Sequence, residues 1–184
     1  MSRLFFTTPI PPSVNNYLDW KVERRGRKVI PKSYHSSDTV KYIADATEII
    51  NAAVKEQCWK PLDKDEWCKV TLRFYFPKKG YDSHNHNKVI FDVMTHLGIW
   101  LDDQFVMVQD DDVFVDNVHP RMEVLVETID KIGVFQNNRE LQEFKQNNCE
   151  HCRKNGRRCR FMTQFLENRA MNIDIDTQEC LQKQ

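Results

Sequence analysis

In the stretch DSHNHNKVIFDVMTHLGIWLDD, residues 82–103, one aspartate stands before an apolar helical run, two more stand behind it, and a lysine sits in its first turn. Carboxylates are natural ligands of Mg²⁺ and Mn²⁺, hard ions that keep several waters and accept the oxygens of a phosphodiester. A lysine beside them can balance charge on the phosphate or on its transition state. Asp82, Lys88, Asp102 and Asp103 therefore have the types that metal-assisted phosphate-ester cleavage needs. The same residues also have a plainer reading. Asp102 can be a solvated loop residue, and Lys88 with Asp92 can be an i,i+4 surface pair contributing roughly a few tenths of a kcal/mol.

The elements that must hold these groups follow from the pattern around them. RLFFTTP (3–9) reads as a first strand stopped by PIPPS, because proline donates no ladder hydrogen bond. SSDTVKYIADATEIINAAVKEQ carries apolar residues at helical spacing, with Ser37 or Asp38 as its N-cap. WCKVTLRFYFP (67–77) alternates and reads as a strand, and a polar loop then leads to KVIFDVMTHLG, where Gly98 supplies the helix stop. QFVMVQ (104–109) and RMEVLVETI (121–129) read as two further strands, and the acidic run Asp110, Asp111, Asp112 reads as a polar turn between them. The expected fold is α+β: a small mixed sheet of about four strands with two helices over residues 1–131, and a short C-terminal appendage over 132–184.

Residue order narrows the chemistry. YDSHNHNKVIFDVMTHLGIWLDDQFV resembles the RusA family of Holliday junction resolvases, carried mostly by phages and prophages, whose pattern is approximately D-x-D-N-x-x-K-x-x-x-D-x-L followed by G-x-[WY]-x-D-D. Asp82, Asn85, Lys88, Asp92 and Asp103 fall in register with it, as do Trp100 and Asp102. The opening PPSVNNYLDW is similar to the family's start and HPRMEVLVE to its closing strand, so the resemblance covers residues 4 to about 130. It implies a RusA-like fold, a homodimer, Mg²⁺ or Mn²⁺ as cofactor, and four-way or other branched DNA as substrate. Asp82, Lys88 and Asp103 are its implied catalytic residues, and Asn85 would orient its neighbours and contact DNA.

The chain departs from the pattern at one position. His84 stands where the family has its second aspartate. Histidine binds divalent ions through nitrogen, favours softer metals than Mg²⁺ and adds no negative charge. His84 is thus a third ligand with Asp82 and Asp103 that shifts preference toward Mn²⁺, a general base that activates water, or the mark of a weakened site; the retained register favours a competent variant. His86, two residues on, reads as surface polar. A helix from Asn85 to Leu97 would be about 20 Å long, and six residues from Gly98 to Asp103 barely cover that distance fully extended. Asp82 and Asp103 then share one site only if the chain doubles back or the helix is short; otherwise Asp103 of a partner completes it, and the expectation is a composite or interface-proximal active site.

Charge is balanced overall, 27 basic against 27 acidic residues, so no global field selects nucleic acid. Its placement is uneven. KVERRGRKVIPK (21–32) is basic and reads as an exposed hairpin or arm, with Arg24, Arg25, Arg27 and Lys28 suited to a DNA backbone. No stretch approaches the roughly 20 apolar residues of a membrane span, and the N-terminus has no signal-peptide pattern. The expected location is cytoplasmic, in a bacterial host cell, with no membrane partner.

Six cysteines in such a location read as thiols or metal ligands rather than disulfides. Cys58 and Cys68 read as packed core residues. Cys149, Cys152, Cys159 and Cys180 form C-x2-C-x6-C-x20-C, a set suited to a structural Zn²⁺, with an iron–sulfur cluster or free thiols as the other readings. Arg153, Lys154, Arg157, Arg158 and Arg160 would surround it with positive charge. The expected activity is a divalent-metal-dependent endonuclease making paired cuts in branched DNA. The alternative is a non-catalytic branched-DNA binder whose tail is a zinc-stabilised interaction module.

Overall fold

The alternation of residues 3–8 and 67–76 becomes two strands with one buried apolar face each: Leu4 and Phe6 in β1 (Arg3–Thr8), and Cys68, Val70, Leu72, Phe74 and Phe76 in β4 (Trp67–Phe76). The computed structural model describes residues 2–63, 66–154 and 159–183; the Arg25 side chain and residues 155–158, with the expected Arg157 and Arg158, lie outside the described residues. Two units divide the chain. The first is Met1–Asp63 with Cys68–Thr128, and the second is Lys64–Trp67 with Ile129–Gln184.

The first unit is α+β. Its sheet has the order β1-β6-β4-β5, with β5 spanning Val106–Val115 and β6 spanning Arg121–Ile129. The sheet is mixed: β1 and β6 are antiparallel, β4 and β5 parallel. Between β1 and β4 lie a two-stranded ribbon, β2 (Leu18–Arg25) and β3 (Lys28–His35), and the long helix α1 (Ser37–Glu56). The N-cap is Ser36, one residue before the expected one. Its hydroxyl accepts the Thr39 N–H at 3.3 Å, leaving Asp38 to meet the positive end of the helix dipole.

α1 places Tyr42, Ala46, Ile50 and Ala53 against this unit's core, and α2 (Asn87–His96) adds Val89, Ile90, Val93 and Met94. Burial of these side chains, about 25 cal/mol per Å² of apolar surface, is what fixes both helices to the sheet.

The acidic run is strand, not turn. Leu72 pairs with Asp110 and Arg73 with Asp112, so Asp111 is the extra residue of a β-bulge inside β5. A bulge breaks the two-residue alternation and re-aims the side chains beside it, which is why the pattern misread the segment. Asp111 pairs with Arg73, Asp112 Oδ1 accepts the Val113 N–H at 2.8 Å, and Asp110 faces elsewhere.

The second unit has its own small core of Val134, Phe135, Leu141, Phe144, Phe165 and Ile173. Helices α3 (Asn138–Cys149) and α4 (Arg160–Leu166) and the short pair β7 (Ile173–Asp174) and β8 (Glu179–Cys180) surround it. Asn148 fastens the hairpin: its amide donates to Gln178 O at 3.0 Å and its carbonyl accepts the Cys180 N–H at 3.0 Å.

Candidate active site

Asp82 leaves the loop after β4 in extended conformation and caps a short 3₁₀ turn, Ser83–His86. Its Oδ1 accepts the His84 backbone N–H at 3.1 Å and its Oδ2 accepts the Asn85 side-chain amide at 3.0 Å. Asn85 thus restrains the carboxylate, and each oxygen keeps a lone pair for a further partner.

The turn is backed by a buried residue that the sequence reading placed on the surface. His86 is 6% exposed, packs against the stacked pair Phe76 and Tyr81 with ring centroids at 5.2 and 5.9 Å, and meets Pro11 O through Nδ1 at 2.5 Å. A carbonyl only accepts, so Nδ1 carries the proton. The Val14 N–H donates to Asn85 O at 2.7 Å in the same region. These two bonds lay the loop after β1 along the turn that carries Asp82. The signal was present in the aromatic residues Phe76 and Tyr81 and the proline run, but a histidine before a helix reads as polar.

Lys88 lies in the first turn of α2, half exposed, with Nζ at 3.1 and 3.3 Å from the two oxygens of Asp92. The surface-pair geometry is thus real. The Asp92 hydrogen bonds hold the ammonium above its ordinary pKa, partly opposed by desolvation, with smaller contributions from Tyr17 and Asp103.

The chain turns sharply after α2, with the Ile99 N–H donating to Met94 O at 3.0 Å. α2 is only 10 residues long. Gly98, at φ +70, turns the chain in a conformation that side chains disfavour. Ile99 and Trp100 then enter the core at 2% and 1% exposure, with the Trp100 indole donating to Thr95 Oγ1 at 2.7 Å. Asp102 caps the next 3₁₀ turn by accepting the Gln104 N–H at 3.0 Å, leaving Asp103 as the aspartate whose charge reaches Lys88. The helix is thus short, and the chain turns at its C-terminal end.

His84 is not gathered with Asp82 and Asp103. Its ring is 81% exposed and its Nδ1 lies 3.5 Å from Asp110 Oδ2, an oxygen that also accepts the Ser83 hydroxyl at 2.9 Å. The expected three-residue ligand set of Asp82, His84 and Asp103 is replaced by two exposed carboxylates, with His84 turned toward β5. Among the described residues no three His, Cys, Asp or Glu side chains gather into a group that could hold a metal ion. One or two carboxylates with waters and a substrate phosphate are how Mg²⁺ is ordinarily held, so the oxygen donors present fit such an ion.

The same finding corrects the expected zinc group. Cys149, Cys152, Cys159 and Cys180 are electrostatic neighbours, all partly buried and none in a disulfide, but they do not form a ligand set. Cys149 and Cys180 pack against the apolar core of the second unit, and burial pushes the Cys149 thiol up, toward its neutral form. Cys68 is fully buried, as expected, with its thiol pushed up to about 12; Cys58 is exposed, against expectation.

Beside Asp82 opens a groove of about 670 Å³, lined among others by Pro11, Asn15, Asn16, Lys41, Tyr81 and Asn85. The β2–β3 ribbon grows from one edge of this region: Ser36 closes its base, donating its hydroxyl to Asn16 O at 3.0 Å and its N–H to Tyr17 O at 3.1 Å. Arg24 faces Val29 and Arg25 faces Lys28 across the ribbon, with Gly26 at φ +62 and Arg27 in the tip. Every residue of β3 is exposed.

No curated protein matches the chain. The family model described as endodeoxyribonuclease RusA matches residues 9–127, a span that holds the β2–β3 ribbon, Asp82, Lys88, Asp103 and β5. With well over half of the sequence inside that match, the chain belongs to the RusA family of endodeoxyribonucleases.

Proposed function

We propose that this endodeoxyribonuclease is a Holliday junction resolvase that acts as a homodimer and depends on Mg²⁺ or Mn²⁺. The observation that carries the reading is the exposed Asp82 carboxylate, held by the Asn85 amide at 3.0 Å at the start of the turn that leads into Lys88, in a chain that matches the RusA model over residues 9–127. Asp82, Lys88 and Asp103 stand in the register of the RusA pattern.

Asp82 and Asp103 would hold the ion, which when bound polarises the scissile phosphate and lowers the pKa of its water. Lys88, kept protonated by Asp92, stabilises negative charge that builds on the phosphoryl oxygens. Asn85 holds the Asp82 carboxylate in one orientation. His84 assists at the substrate side. The basic ribbon, with Arg24, Arg25, Arg27 and Lys28, grips backbone phosphates and fixes the register of the DNA. A two-fold dimer matches a four-way junction that needs two symmetric cuts.

The test is cleavage of a synthetic four-way junction by the wild type and by Asp82→Asn with each metal. Paired nicks by the wild type, lost in Asp82→Asn, are the expected result. Tight junction binding without nicking at any Mg²⁺ or Mn²⁺ concentration overturns the reading in favour of a branched-DNA binder whose site is weakened at His84. Equal cleavage of flaps and junctions overturns the substrate assignment alone.

A further inference from the structure

Asp110 is the one member of the acidic run aimed at the turn that carries Asp82. Its side chain is 21% exposed, its Oδ2 accepts the Ser83 hydroxyl at 2.9 Å, and the same oxygen lies 3.5 Å from His84 Nδ1. Its place is fixed from the other side by strand pairing with Leu72, and the bulge at the next residue, Asp111, sets its direction. Bulges beside active sites commonly re-aim a side chain in this way.

We propose that Asp110 is a positioning residue that holds the His84 imidazole with Nδ1–H toward β5 and leaves Nε2 as the nitrogen offered to an incoming phosphodiester. The inference rests on the reading of His84 as a member of the nuclease site. An ionised carboxylate only accepts hydrogen bonds, so the nitrogen facing it carries the proton and the other carries the lone pair. Carboxylate partners of this kind fix the tautomer and ring orientation of functional histidines. Where the RusA pattern has a carboxylate at position 84, this chain has an imidazole there and a carboxylate on the strand behind it. The negative charge is kept near the turn, and the group facing substrate becomes a nitrogen acceptor.

The direct test is the tautomer. In full-length protein labelled with ¹⁵N-histidine, at about pH 8.5 where an ordinary imidazole of pKa about 6.5 is neutral, the His84 signals are assigned by their loss in His84→Gln. The wild type should show the Nδ1–H form. Asp110→Ala should shift His84 toward the Nε2–H form, whereas Ser83→Ala, which removes the other donor to Asp110, should leave it unchanged. A wild-type Nε2–H signal, or an unchanged spectrum in Asp110→Ala, overturns the proposal.

Junction cleavage provides the second readout. Asp110→Ala should lower kcat about tenfold or more, the usual cost of losing an orienting partner, and should cost less than about twofold in a His84→Asp background. Equal losses in both backgrounds would make Asp110 merely structural and overturn the proposal. Should the wild type cut no DNA at all, the function proposed above falls, while the tautomer spectra still decide the role of Asp110.

Discussion

Lys88 and Asp92 form a two-pronged pair along one turn of α2, with the ammonium 3.1 and 3.3 Å from the carboxylate oxygens. The pair is half exposed, and such pairs contribute only about 0.3–0.5 kcal/mol. Its consequence is the charge state of Lys88.

Because the folded-state pKa of Lys88 lies above its ordinary value, the ammonium is complete at every pH below that ordinary value and is lost only as pH rises through the raised one. Lys88 thus sets no alkaline limb in the working range. Lys88→Ala should lower kcat on the order of 10²-fold, and Lys88→Arg should retain the shape of the wild-type pH–rate profile up to about pH 9.5. A limb lost in the arginine variant would show that Lys88 titrates there.

In the proposed site Asp82 and Asp103 come from one chain. Mixing Asp82→Asn chains with Asp103→Asn chains should therefore give heterodimers without an intact site, with cleavage near the background of either variant. Recovery of roughly a quarter or more of wild-type cleavage would require sites shared between subunits.

His86 ties the loop after β1 to the Asp82 turn. His86→Ala leaves Pro11 O without its donor and opens space beside the stacked Phe76 and Tyr81 rings, a loss of about 1–3 kcal/mol. Thermal unfolding should move down by on the order of 5 °C, and the Val14 amide, bonded to Asn85 O, should exchange faster with solvent. An unchanged Val14 exchange rate would count against the tie.

The ribbon is exposed along β3 and contributes little to folding. The double variant Arg24→Ala with Lys28→Ala should unfold at the wild-type temperature yet bind a junction with its log K versus log salt slope reduced by about 2. An unchanged slope would remove the ribbon from the DNA interface.

The family was legible because the residue order around the carboxylates and the lysine is distinctive, and β1, β4, α1 and β6 were legible because one face of each is buried. What escaped was set by tertiary contact. The Asp110–Asp112 run reads as a turn until the bulge at Asp111 is known, although Val113, Phe114 and Val115 after it resume strand-forming residues. His86 looks polar in sequence, and only the proximity of Pro11, 75 residues earlier, makes it a core residue. The spacing of Cys149, Cys152, Cys159 and Cys180 suggested ligands, whereas the packing of Cys149 and Cys180 onto apolar neighbours could not be read from spacing. His84 was flagged as the departure, but its partner on β5 lies 26 residues downstream and has no sequence signature.

The hydrogen bonds from His86 to Pro11 O and from Val14 to Asn85 O bear on more than stability. The backbone they secure continues within a few residues into the ribbon, so the ribbon and the turn that carries Asp82 are riveted to the same strip of chain. Whatever pull a bound duplex exerts on the ribbon is carried by those two rivets into the carboxylate's own backbone.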